Sequence, residues 1–206
     1  MKIGILTYSK ANNFGAMMQA LALKHTLEER YKADVYFVNY YSVLQENNDG
    51  LKLKICNMAQ LVKQFIRMPF RKQIRTRIQK FTDFRSRNFV FSSKKMNEYT
   101  SQEELVEEFD KFDVVIVGSD QVWNELGDGS LDPVFFWDGL SKVDGKKVVS
   151  YAASFGRGDV VKGYESQIGN WLKRYDAISV REDSGKDIVE SYGLKAEQVL
   201  DPTLLL

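Results

Sequence analysis

The chain has 206 residues, a hydrophobic content of 44% and a formal net charge of +1. This length can form a large core, and the near-neutral charge gives no general attraction to nucleic acid or to membranes. A single cysteine, Cys56, excludes an internal disulfide framework, and no cluster of cysteine and histidine resembles a zinc site. The N-terminus turns polar at Ser9, too early for a signal peptide or a transmembrane helix, so we expect a cytoplasmic protein.

The first forty residues have the pattern of a β-α-β unit. Residues 3–8 form a short apolar run, and residues 14–30 carry apolar side chains at helical spacing. Residues 35–40 are rich in Val, Tyr and Phe, which favours a second strand.

Four further strands are predicted downstream, at residues 112–117, 147–152, 177–180 and 198–200. Short apolar runs of this kind are typical of buried parallel strands. The sequence Ser-Gln-Glu-Glu at residues 101–104 resembles a capping box and predicts a helix before the third strand. Residues 164–174 predict another helix. The chain is therefore expected to be an α/β protein with a Rossmann-like parallel sheet flanked by helices, forming one domain over residues 1–206.

Residues 51–95 depart from this alternation. They contain 13 basic residues against one acid, Asp83, and their apolar residues recur at helical spacing, with Pro69 expected to break or kink the path between two helices. We predict a basic helical insertion, which is a candidate for peripheral contact with the inner face of the membrane. The alternative is a solvated helical face that the acidic stretch at residues 98–113 neutralises.

Candidate site residues follow the predicted strands, because ligands of open parallel sheets bind beyond the carboxyl ends of the strands. After the first strand, Asn12, Asn13 and Gly15 stand where a helix begins and form a plausible anion cradle. The alternative is that one of the asparagines only caps the helix.

The third strand is followed by a dense polar segment. Ser119, Gln121 and Asn124 can supply hydrogen bonds, and Asp120 can orient a sugar hydroxyl or accept its proton. Trp123 offers a stacking face. The alternative is a tight turn in which Asp120 caps the next helix and Trp123 packs in the core.

Two later strands end in further candidates. Ser154 lies among small residues that let a substrate approach the backbone, although close packing explains them equally well. Arg181 ends a buried strand, where its guanidinium matches phosphate or carboxylate; the alternative is a salt bridge to Glu182, Asp183 or another acid. If these strand ends share one edge of the sheet, they form a polar site for a small anionic substrate.

Several of these segments together resemble the polysaccharide pyruvyl transferase family. The match rests, in the family's order, on GILTY at residues 4–8, NNFGA at 12–16 with QA at 19–20, GSDQVWN at 118–124, SYAASFG at 150–156, SVRE at 179–182 and DPTLL at 201–205.

The resemblance implies a fold like the two-domain GT-B glycosyltransferases and transfer of a pyruvyl group from phosphoenolpyruvate to a sugar of a cell-surface polysaccharide. The product is a pyruvate ketal, and the acceptor is a glycan or a lipid-linked oligosaccharide. No cofactor and no metal are implied. Asp120 and Arg181 become catalytic candidates, and the other strand-end residues become substrate-binding candidates.

Members of this family carry a second domain that completes the donor site, and no such domain follows Thr203 in this sequence. We therefore expect the chain to be the N-terminal half of such an enzyme, with the C-terminal domain as a missing partner, and to be inactive alone. Two alternatives are the N-terminal domain of a nucleotide-sugar glycosyltransferase and a non-catalytic domain that binds anionic glycans. No nucleic acid partner is expected.

Overall fold

The computed structural model describes residues 1–42, 68–126, 128–138, 140 and 145–205. The strands in these parts are β1 (Lys2–Leu6), β2 (Asp34–Phe37), β3 (Val114–Val117), β4 (Lys147–Ser150), β5 (Ser179–Val180) and β6 (Glu197–Gln198). The α-helices are α1 (Phe14–Tyr31), α2 (Arg71–Asn88), α3 (Gln102–Phe109), α4 (Glu165–Leu172) and α5 (Asp183–Ser191).

All the strand pairs are parallel, which confirms the predicted α/β fold. Four strands form a sheet in the order β2-β1-β3-β4, and β5 pairs with β6. Isolated bridges between Val149 and Ala177 and between Ala153 and Val180 connect the two sheets. The strands are shorter than the apolar runs that predicted them. The first, second and fourth runs turn into loops at their last residues, whereas β3 and β5 begin two residues later than predicted.

Successive side chains of the strands point to opposite faces of the sheet, and helices cover both faces. Ile3 and Ile5 of β1 pack with Met17 and Leu23 of α1 in one core cluster. Leu6 belongs to a second cluster, which includes residues of α3, α4 and α5. This layered arrangement leaves the carboxyl ends of the strands as the edge where the loops converge.

Two of the predicted helices, α1 and α3, begin with side-chain caps. The Asn13 side chain accepts a hydrogen bond from the Ala16 N–H at the start of α1. The Ser101 side chain accepts one from the Glu104 N–H, and the nearby Ser101 backbone helps to lower the pKa of the Glu104 carboxyl, after the effect of Lys94. The predicted helix before the third strand and its Ser101 cap are therefore confirmed.

Helix α2 lies in the region predicted to be a basic helical insertion. It follows a 3₁₀ turn, Met68–Phe70, which contains Pro69, and Phe81 is its one buried residue. The predicted helix before Pro69 falls within residues 43–67, outside the described residues. Lys94, at the end of the region and outside α2, pairs with Glu104 at 2.9 Å, so the acidic stretch neutralises at least this cation. No helix in the described ranges is long and apolar enough to cross a bilayer.

Candidate active site

A polar cleft of about 510 Å³ opens at the carboxyl edge of the sheet. It brings together six of the residues predicted from the strand ends: Asn13, Gly15, Asp120, Gln121, Asn124 and Arg181. Tyr8, Gln19, Asp201 and Thr203 also line it. The predicted convergence of loops at one edge is therefore present, and we call this site the cleft.

Asp120 is placed in the cleft by a turn directly after β3. Gly118 has a φ of +114°, and a Cβ atom there would collide with the carbonyl oxygen of Tyr151, so the turn requires glycine. The Asp120 carboxylate accepts the Gln121 N–H at 2.8 Å, and its backbone carbonyl accepts the Ser154 N–H at 3.1 Å. The carboxylate is thus held at a fixed place in the cleft.

Burial is the main influence on Asp120 and raises the pKa of its carboxyl above the ordinary value. The Gln121 N–H and the positive charge of Arg181 oppose this rise, whereas the negative charge of Asp201 adds to it. A carboxylate with a raised pKa is a stronger base than an ordinary aspartate, and it suits proton transfer with a bound hydroxyl.

Arg181 lines the cleft but is engaged within the chain. Its Nε donates to Glu182 at 2.8 Å, and its Nη1 donates to Asp201 at 3.2 Å. Asp201 also accepts hydrogen bonds from the backbone N–H and the hydroxyl of Thr203. The structure therefore contains the salt bridge that the sequence left open as the alternative for Arg181, while the guanidinium remains at the wall of the cleft.

Gln19 is the residue that ties the cleft together, and sequence reasoning did not assign it a role. Its Oε1 accepts from both the N–H and the hydroxyl of Ser119, at 3.3 and 2.6 Å. Its Nε2 donates to the Thr7 hydroxyl at 3.1 Å and to the Ala16 carbonyl at 3.0 Å. The buried side chain thus joins the residue that follows β1, the start of α1 and the turn that carries Asp120.

Three sequence candidates lie outside the lining of the cleft. Ser119 and Ser154 are fully buried; Ser119 donates to Gln19, and the Ser154 hydroxyl accepts the Gly156 N–H. The Asn12 side chain accepts a hydrogen bond from Arg85 of α2 at 3.0 Å. These contacts shape the loops. Direct contact of these three side chains with substrate stays a prediction, which their positions do not support.

The proposed stacking face is wrong. Trp123 is only 1% exposed, and its indole N–H donates to the Phe135 carbonyl at 2.9 Å. The ring packs beside Phe136, Phe155 and Tyr175 in the core. A polar turn before the indole favours a position in the cleft, but this turn directs the ring inward, as the alternative of core packing predicts.

The charge balance of the cleft favours hydroxyl groups over a strongly anionic ligand. Its described lining has three carboxylates, Asp120, Glu125 and Asp201, and one cation, Arg181, which is already paired. Asn13, Gln121 and Asn124 add amide groups, which both donate and accept hydrogen bonds. Such a lining matches the hydroxyls of a sugar.

A comparison with family models identifies the relationship suggested by the motifs: the model described as polysaccharide pyruvyl transferase matches residues 13–206. The chain belongs to this family. The matched range includes nearly all of the cleft, from Asn13 to Thr203. Searches of curated proteins and of solved structures returned no match. Membership of the polysaccharide pyruvyl transferase family implies a transferase that attaches pyruvyl groups to polysaccharides in general.

Proposed function

We propose that the protein transfers the pyruvyl group of phosphoenolpyruvate to a sugar of a cell-surface polysaccharide or its lipid-linked precursor, and that the cleft holds the acceptor sugar. The observation that carries this proposal is the Asp120 carboxylate, fixed and partly desolvated among amide side chains at the edge of the sheet. The family relationship supplies the reaction class.

Ketal formation requires two proton transfers and one leaving group. Two hydroxyls of one sugar add to C2 of the donor, the C2–O bond to phosphate breaks, and the methylene carbon becomes a methyl group. One hydroxyl proton is balanced by the proton gained at this methyl group, and the other by the proton carried away on phosphate. The enzyme therefore needs a base near the sugar hydroxyl and cations near the donor.

Asp120 is assigned the role of the base. Its raised pKa strengthens it as a proton acceptor, and the carboxylate lines the cleft, where a sugar hydroxyl can donate to it. Asn13, Gln121 and Asn124 are assigned to orient the sugar ring through its other hydroxyls.

Arg181 is assigned to the donor anion, although its present partners are carboxylates of the chain. Binding of phosphoenolpyruvate would exchange Asp201 or Glu182 for a donor oxygen at the same guanidinium. Because Arg181 is the one cation in the described lining of the cleft, further positive groups must approach the donor for tight binding.

The test measures phosphate release from phosphoenolpyruvate by the protein expressed from the complete coding frame, with and without glycan acceptor. We expect release only with acceptor, and we expect Asp120→Asn to lower kcat by roughly 10²- to 10⁴-fold. Asp128→Asn is the matched control, because Asp128 bonds Ser130 in a loop and does not line the cleft. Binding of glycan without any phosphate release would favour a non-catalytic binding domain.

A second variant separates the two substrates. Arg181→Ala is expected to abolish detectable turnover, and the milder Arg181→Lys to raise KM for phosphoenolpyruvate while KM for the acceptor stays the same. Equal changes in both constants would show that Arg181 only supports the loop around Asp201, and normal turnover by Arg181→Ala would remove it from the donor site.

A further inference from the structure

A second cavity, of about 840 Å³, lies between helices α1 and α2, and we call it the α1–α2 groove. Its lining is mainly apolar. The rings of Phe14 and Phe81 meet in it at a centroid distance of 4.9 Å, and the Phe14 and Met18 residues are 74% and 42% exposed. Contiguous exposed apolar surface of this kind typically marks a binding site.

Cations accompany this apolar surface. Lys72 and Lys80 of α2 line the groove, and no acidic partner lies within ion-pair distance of either in the described part of the chain. An apolar channel with unneutralised lysines complements an amphiphile with a hydrocarbon chain and an anionic group. A neutral lipid would leave the lysines unused, and a free anion would leave the apolar floor exposed.

The groove adjoins the cleft through the first turn of α1. Phe14 and Met18 line the groove, whereas Asn13 and Gly15 line the cleft. In addition, Arg77 of α2 donates to the Asn12 carbonyl at 3.2 Å, which attaches the groove wall to the loop that borders the cleft. One extended ligand can therefore occupy both sites.

We propose that the α1–α2 groove binds the hydrocarbon chain of a lipid-linked acceptor, whose sugar enters the cleft and whose phosphate lies beside Lys72 and Lys80. The assignment of the sugar end rests on the proposed function. The chain in the groove gives the enzyme a preference for acceptors that are still attached to their lipid carrier.

The first test measures binding of dodecyl phosphate, below its micellar concentration, by titration calorimetry. We expect binding to the unmodified protein and an affinity at least about tenfold lower for Met18→Glu, because a charge in the groove opposes burial of the chain. Val90→Glu is the matched control, since Val90 is 53% exposed and lies outside the groove. Equal loss in both variants, or no binding at all, would overturn the proposal.

The head group is tested by a second pair of ligands. Lys80→Gln is expected to weaken dodecyl phosphate several-fold while dodecyl maltoside, which has no charge, binds as before. Inorganic phosphate alone should not compete at similar concentrations. Competition by phosphate at the affinity of the amphiphile would mean that the groove recognises an anion and not a chain.

Enzyme kinetics distinguish a lipid-linked acceptor from a bilayer as the source of the hydrocarbon chain. Met18→Glu should raise KM about tenfold for a lipid-linked oligosaccharide and leave turnover of the same oligosaccharide without lipid unchanged. A variant that loses binding to phosphatidylglycerol vesicles but keeps normal KM for the lipid-linked acceptor would make the groove a bilayer contact and would overturn the proposal. If no acceptor supports turnover, the proposed function fails, whereas the calorimetry still decides whether the groove binds a chain.

Accessibility of the groove is checked by thiol labelling of Met18→Cys in a Cys56→Ser background. Rapid labelling that dodecyl phosphate slows is the expected result. Slow labelling in the absence of amphiphile would mean that another part of the protein covers the groove, and this outcome would also overturn the proposal.

Discussion

The cleft and helix α2 differ in how their charged and polar side chains are paired and buried. In the cleft, Arg181 has two carboxylate partners and the Gln19 amide bonds four groups. Helix α2 has seven basic residues and one acid over 18 residues, and only Phe81 is buried. The near-zero net charge of the whole chain hides this separation.

The comparison suggests that the two regions are stabilised differently. The cleft is held by buried hydrogen bonds inside the fold, which keep its geometry without ligand and are costly to break. Several charges of α2, such as those of Lys72 and Lys80, lie at the surface, where each contributes little to folding and is available to a ligand. Arg77 and Arg85 instead hydrogen-bond the loop that borders the cleft. The same type of substitution should therefore have different consequences in the two regions.

The largest difference in the free energy of unfolding is expected between the same glutamine substitution made at the cleft and on α2. Gln19→Leu leaves buried Ser119 and Thr7 without partners, and we expect it to lower the free energy of unfolding by about 3 to 4 kcal/mol. Gln79→Leu on α2 removes an exposed bond to Asp83 and should change it by no more than about 0.5 kcal/mol. Urea denaturation measures both values, and similar losses in the two variants would contradict the comparison.

The position of Gln19 also shows what the sequence revealed about the site. Periodicity predicted the strands, and the rule that parallel strands end at one edge predicted the meeting of Asn13, Asp120 and Arg181. Gln19 lies on the apolar stripe of α1, between Ala16 and Leu23, and is 3% exposed. A polar side chain on a buried helical stripe must bond something across the core, so the signal for a polar contact was present.

Other features of the site depend on contacts between residues far apart in the sequence, which a local sequence pattern cannot predict. Whether Trp123 points into the core or toward the cleft is decided by the turn after β3 and by Phe135, which lies 12 residues further along the chain. The partner that Arg181 chooses depends on Asp201, which only the fold brings to its side. The groove likewise requires the packing of α1 against α2, from distant parts of the sequence.

The next prediction concerns a buried carboxylate that supports one wall of the cleft. The hydroxyl of Tyr40 donates to Asp132 at 2.9 Å, and Phe135 packs against the rings of both Tyr40 and Tyr8, the latter at the cleft. Burial is the main cause that raises the pKa of Asp132 to about 6, although the hydrogen bonds from Tyr40 and the Val134 N–H oppose it.

Because the folded pKa of Asp132 is above the unfolded value of 3.8, the stability linked to this group is fully present below pH 3.8. It is lost as the pH rises through about 6. Asp132→Asn does not titrate and keeps an oxygen that accepts from Tyr40. We therefore expect the stability of the variant relative to the unmodified protein to rise by about 2 to 3 kcal/mol between pH 4 and pH 8.

Thermal or urea unfolding across that range measures the difference. A constant difference between Asp132→Asn and the unmodified protein at every pH would mean that Asp132 titrates as an ordinary carboxyl in the folded state.

The smallest expected effect has the opposite sign and tests why α2 begins with cations. The N-terminus of a helix carries a partial positive charge, yet the first turn of α2 contains Arg71 and Lys72 and no acid. Arg71→Glu should therefore raise the free energy of unfolding by about 0.3 to 1 kcal/mol, whereas Arg87→Glu in the last turn should lower it by a similar amount. If Arg71→Glu stabilises the fold and also weakens binding of dodecyl phosphate, the positive charge at the start of α2 opposes folding and contributes to ligand binding. If Arg71→Glu destabilises the fold, these cations stabilise the structure, and the contrast with the cleft fails.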